Sequence, residues 1–184
     1  MKFKVIVLLL VFLFLVVGFF HKRYFLLLPT IPIYPNNNIE VTSVKEEINN
    51  RTSKDIDFFY LTNQSVAYAF KPHVNESLEF LINKTFEPNK IIIFLKYLFN
   101  RARPSQIDKS IIPLDISTAQ TPAFPAGHAF QAYYLEKYLS NIYPEKKGLF
   151  LSIAKECDNT RVKAGLHYPS DGNFSKQIID FFYF

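Results

Sequence analysis

The sequence predicts an all-α fold, a helical body behind one apolar N-terminal helix. Three observations predict it. Several segments carry apolar residues at helical spacing, period-two alternation is scarce, and 184 residues contain only five glycines. The 20 Phe and 11 Tyr supply ample bulk for a single core. No internal repeat or second boundary divides the body.

Val5 to Phe20 is an unbroken run of 16 residues, apolar on every side. As a helix it would span about 24 Å, slightly short of a bilayer core, with Lys4 able to snorkel. A cleaved signal peptide has the same basic start and apolar centre, but no small-x-small cleavage site follows the run. An uncleaved membrane anchor over residues 1–28 is therefore the preferred reading. Lys2 and Lys4 balance Lys22 and Arg23 across the run, so basic residues do not set its orientation. Sequons at Asn50, Asn63, Asn75, Asn83 and Asn173 lean toward a lumenal, extracellular or periplasmic body. Cys157 is the single cysteine, which excludes an intrachain disulfide and a cysteine-rich zinc site.

Residues 29–38, PTIPIYPNNN, read as an extended linker expected to carry no part of a site. The body occupies residues 39–184. Its first helices are expected at Thr42 to Asn49, Ser53 to Phe70 and Asn75 to Asn83. Thr52-Ser53 marks a helix start and Lys71-Pro72 a stop. The net charge of +5 includes the residues beside the anchor, and no basic stripe or nucleic-acid motif accompanies it. A mild positive balance suits anionic substrates or an anionic lipid surface.

Three short blocks carry chemistry. The first is KYLFNRARP, Lys96 to Pro104. The apolar residues before it predict a helix that Pro104 ends, with Lys96 and Arg103 seven apart on one face. In the second, Pro125-Ala126-Gly127-His128 follows an extended stretch and precedes a helix that stops at Pro144. Gly127 and His128 would then stand at a helix N-terminus, where free N–H groups favour a phosphate-like anion. A His there can donate a proton to a leaving oxygen.

The third block is RVKAGLHYPSD, Arg161 to Asp171. Helical spacing upstream places Arg161 near a helix end, Gly165 just beyond it and Pro169 in the first turn of the next helix. Asp171 can then fold back on His167. A carboxylate accepting from one imidazole nitrogen fixes the tautomer and leaves the other nitrogen free as base or nucleophile.

In order, Lys96-x6-Arg103-Pro104, Pro125-Ala126-Gly127-His128 and Arg161-x5-His167-x3-Asp171 resemble the three-part signature of the type 2 phosphatidic acid phosphatase (PAP2) superfamily. That superfamily includes class A acid phosphatases and vanadium haloperoxidases. The resemblance covers roughly residues 91–175 and implies a PAP2/haloperoxidase-like helical bundle. It implies that Lys96, Arg103, Arg161 and the Gly127 amide hold the phosphoryl oxygens. It implies that His167 attacks phosphorus, Asp171 orients it, and His128 protonates the departing alcohol. No metal or other cofactor is implied; vanadate is expected as an inhibitor, and as a cofactor only if the chain is a haloperoxidase. The expected partners are a phosphorylated small molecule or lipid phosphate, and the membrane through residues 5–20. A catalytically silent phosphate-ligand-binding protein is the remaining alternative. The chain has Ala126 where the family usually has Ser, and Thr160 where Ser usually precedes the Arg.

Overall fold

A computed structural model describes residues 30–182. The apolar run at 5–20 lies outside them. Among the described residues no helix is long and apolar enough to cross a membrane. They form nine α-helices and no strand: α1 Asn37–Asn49, α2 Ser53–Thr62, α3 Ala67–Phe70, α4 Leu78–Phe86, α5 Asn89–Phe99, α6 Pro104–Ile107, α7 Gly127–Ile142, α8 Lys147–Lys163 and α9 Pro169–Phe182. The body is all-α, as the scarcity of alternation predicts.

α7 and α8 form the central pair, flanked by α9, α4 and α2. Their shared core contains Ala129, Phe130, Leu135 and Leu139 from α7 with Phe150, Ala154 and Cys157 from α8. Ile92 of α5 and Ile179 of α9 close it at the sides. A second cluster joins Val41 and Val44 of α1 to Val162 and Tyr168, which brings the start of the body against the α8–α9 connection. The outward side of α5 leaves Ile91, Phe94 and Leu98 exposed.

Local chemistry explains where the helices depart from expectation. α1 begins at Asn37, not Thr42, because Asn36 caps it by accepting from the Asn38 N–H. The stretch expected as one helix from Ser53 to Phe70 divides after Thr62. Its start is as expected, with Thr52 and Asp55 forming a reciprocal capping box. The break comes where Asn63 and Ser65 turn their side chains to other partners: Asn63 donates to Asp115 at 2.7 Å, and Ser65 accepts from the Ala67 N–H at 3.2 Å. Asn63 is also 8% exposed, so it cannot count among accessible sequons. The helix expected at Asn75 starts at Leu78, capped by Ser77.

Candidate functional site

The α8–α9 connection follows from three residues. Gly165 adopts φ +75°, a left-handed conformation that costs a residue with Cβ about 1–2 kcal/mol. The Leu166 N–H then donates to Arg161 O at 3.1 Å and the Gly165 N–H to Val162 O at 2.8 Å, a full Schellman closure. Pro169 starts α9 two residues after His167. Asp171, third in α9, reaches back and accepts from the Tyr168 N–H at 2.9 Å, as the acid of a capping box does. The same Oδ2 accepts from His167 Nδ1 at 3.1 Å. Helix capping thus delivers the carboxylate to the imidazole.

The other end of that imidazole meets Arg103, whose guanidinium donates to His167 Nε2 at 3.1 Å. Arginine can only donate, so Nε2 holds its lone pair and Nδ1 carries the proton. Arg103 also donates to Thr121 O at 3.0 Å and to Leu166 O at 2.8 Å. Lys96 donates to the next two carbonyls, Pro122 O at 2.8 Å and Ala123 O at 3.2 Å. Lys96 and Arg103 do not share a helix face, contrary to the sequence expectation. α5 ends at Phe99 because Asn100 turns left-handed (φ 46°), and residues 101–103 leave the helix before Pro104 opens α6. Arg103 is extended, as Pro104 requires of the residue before it, but the left-handed Asn100 ends the helix first.

α7 begins at Gly127, as expected, with Ala126 before it supplying no side-chain cap. The chain is anchored there by Ala126 N–H donating to Asp171 O at 3.1 Å, and by Ser175 donating to Ala126 O at 3.0 Å. A Cβ on Gly127 would lie 3.6 Å from Cε of Lys96, so this helix start abuts the lysine. Ala126 is fully buried. Arg161 and His128 meet through Asn63. The asparagine Oδ1 accepts from Arg161 at 3.2 Å, and its backbone carbonyl accepts from His128 Nε2 at 3.0 Å. Thr62 takes a further Arg161 bond at 2.8 Å, and the Phe59 ring lies 4.5 Å below the guanidinium. The Arg161 Nε–H is buried without an acceptor.

Two functional candidates escaped the sequence reading. Asn63 carried only a sequon signal, which pointed to the surface. Arg101, hidden between two motif positions, is fully buried and donates to Asp171 Oδ1 at 2.6 Å. Its other partners include Glu40 and Asn37. Tyr34, Pro35 and Asn37, all in the stretch expected to be an uninvolved linker, pack on or bond to Arg101.

Buried cations dominate the electrostatics. Burial and the neighbouring Arg103 charge pull the Lys96 ammonium well below its ordinary value, against the attraction of Asp171. Burial and the charges of Arg103, Lys96, Arg161 and Arg101 hold His167 well below 6.5. His128 is lowered by burial and by Arg161, against its bond to the Asn63 carbonyl. Both imidazoles are thus neutral near pH 7. Burial raises Asp171, opposed by the Arg101 charge and the Tyr168 N–H. Among the described residues, no group of three or more His, Cys, Asp or Glu side chains could hold a metal ion. The arrangement offers an imidazole lone pair fixed by a carboxylate, a second imidazole, and three cations converging with a helix N-terminus. No family model and no curated protein matches the chain.

Proposed function

We propose that the protein is a phosphohydrolase of the PAP2 type, with a PAP2-like helical bundle, cleaving phosphomonoesters through a phosphohistidine. The observation that carries this reading is His167. Its Nδ1–H is held by Asp171 and its Nε2 lone pair faces the guanidinium of Arg103. A neutral imidazole in that tautomer is a nucleophile, and the cation beside it is a place for the oxygens of the group under attack. The unmatched Nε–H of Arg161 supports the same reading, since a buried charged donor without an acceptor suits an incoming oxyanion.

In the first step Nε2 of His167 forms the N–P bond while the bond from phosphorus to the leaving oxygen breaks. His128 gives that oxygen a proton. With Nε2–H of His128 held by the Asn63 carbonyl, Nδ1 is the nitrogen left for this transfer. In the second step water attacks phosphorus, His128 takes its proton, and the N–P electron pair returns to Nε2. Lys96, Arg103, Arg161 and the Gly127 amide neutralise charge on the non-bridging oxygens. Removing one such donor typically costs about 10²–10³-fold in kcat. The substrate is a phosphorylated small molecule or lipid phosphate, and the apolar run at 5–20 tethers the body to a membrane.

Hydrolysis of p-nitrophenyl phosphate, inhibited by vanadate, is the expected result. Absence of both turnover and vanadate binding in folded protein would remove the reading.

A further inference from the structure

We propose that Arg101 is the positioning residue of the His167–Asp171 pair, and that the segment from Tyr34 to Glu40 belongs to the site because it holds Arg101. The kinetic part of this inference rests on the phosphohistidine reading; the structural part does not.

A guanidinium has five N–H donors, and each one of Arg101 has an acceptor. Nε donates to Asn37 Oδ1 at 2.9 Å. One terminal nitrogen donates to Ser170 Oγ at 2.7 Å and Asp171 Oδ1 at 2.6 Å. The other donates to Glu40 Oε2 at 2.7 Å and Pro35 O at 3.3 Å. The rings of Tyr34 and Tyr168 pack against it, their centroids 4.4 and 3.8 Å from its central carbon. Nothing of the group remains for a substrate. Its one link to the chemistry is the oxygen of Asp171 that does not touch His167.

That link has two consequences. It stops the carboxylate rotating, so Oδ2 stays aimed at Nδ1. It also keeps a fully buried acid ionised. A protonated Asp171 could donate to Nδ1 instead of accepting, which would move the ring proton to Nε2 and remove the nucleophile's lone pair. Burial works toward that failure and the Arg101 charge works against it. Asp171 is also faced by Lys96 from α5, by His167 in its own turn and, at longer range, by Asp158 from α8. Among the described residues, only Arg101 ion-pairs with its Oδ1. Glu40 fixes the arginine in turn: it accepts from Ser170 N at 2.8 Å and Ser170 Oγ at 2.6 Å, tying α1 to the first turn of α9.

The test uses the whole chain carrying Arg101→Lys, Asp171→Asn, both together, or Asn37→Ala. Arg101→Lys should lower kcat by roughly 10- to 100-fold, with KM for p-nitrophenyl phosphate changed less than about threefold. The acidic limb of its kcat profile should move to higher pH. Combined with Asp171→Asn it should cost no more than Asp171→Asn alone, because both act through one carboxylate. Losses that multiply would overturn the proposal.

Nitrogen-15 NMR of His167 provides a readout that needs no turnover. The wild type should show the Nδ1–H tautomer and Arg101→Lys a shift toward Nε2–H. An unchanged tautomer in folded Arg101→Lys would also overturn it. Should that variant not fold, Asn37→Ala leaves both carboxylates paired and should move the same signals the same way by less. No movement there counts against the proposal. A wild type without phosphatase activity would remove the proposed function and leave the NMR result to decide this inference.

Discussion

Asp158 occupies the space that a side chain at position 172 would fill. A Cβ on Gly172 would stand 1.8 Å from Asp158 Oδ1, so the carboxylate lies directly against the backbone of α9, with its other oxygen accepting from Tyr133 at 3.3 Å. Gly172→Ala must displace a buried side chain, and overpacking of this kind costs about 1–3 kcal/mol. Melting curves should show that loss, and Asp158→Ala in the same chain should relieve most of it. Additive losses in the double variant would mean that the clash is absorbed elsewhere.

The same carboxyl makes stability depend on pH. Burial raises Asp158 from 3.8 to about 7, and Oδ1 has no partner. Between those values the folded state binds more protons than the unfolded chain, so this contribution is full below about 3.8 and is lost as pH rises through about 7. The lowered His128 and His167 act in the opposite sense, weakening the fold as pH falls below 6.5. The difference between wild type and Asp158→Asn therefore isolates the effect. The wild type should lose Tm relative to the variant from pH 4 to 8, and parallel curves would refute the assignment.

His167→Ala should abolish turnover with the fold intact, since it removes the attacking atom. His128→Ala should slow substrates with poor leaving groups by about 10²–10⁴-fold and activated esters less. Acid quenching of wild type with labelled substrate should trap phosphate on histidine. Label on any other residue type would reject the mechanism.

Activity should rise as pH falls. Burial and Arg161 lower His128 in the ligand-free site, so its acid form is populated only below 6.5. A bound phosphoryl dianion favours that form. The basic limb of kcat/KM, which reports free enzyme, should therefore lie at lower pH than the basic limb of kcat. Coincident limbs, or an optimum above neutrality, would take His128 out of the acid role.

Truncation tests the segment before α1. A chain starting at Thr30 should keep the stability of the described body. One starting at Asn38 loses the Asn37 and Pro35 acceptors of a buried guanidinium, each contributing about 1.5–3 kcal/mol. Its Tm should fall by roughly 6 °C or more for a domain of this size. Equal Tm values would show that Arg101 finds other partners.

The parts of the fold legible in the sequence were those set by local chemistry. The Thr52 start, the Gly165 closure, the Pro169 start and the Gly127 helix follow from capping, left-handed glycine and proline geometry within a few residues. What stayed hidden depends on partners far along the chain. Asn63 breaks the expected long helix for Asp115 and Arg161, and Glu40 commits the start of α1 to Arg101 and Ser170. At the candidate site, Pro169 marks the helix start that turns Asp171, in the first turn, back toward His167. Lys96 and Arg103 were placed on one face by helical spacing, which fails because Asn100 takes a left-handed turn that Gly signals far more often.

Carbonyls of residues 121–123 and 166 already accept from Lys96 and Arg103. Under the phosphatase reading, an oxyanion that takes over those bonds displaces neutral acceptors that are already seated. Its net gain is the difference between a charged acceptor and a carbonyl, well short of the full strength of the new bonds. The same carbonyls can reclaim the cations when inorganic phosphate forms, which disfavours product inhibition. Under the phosphatase reading, the enzyme would hold its product loosely while still presenting three cations to a group whose charge builds up during reaction.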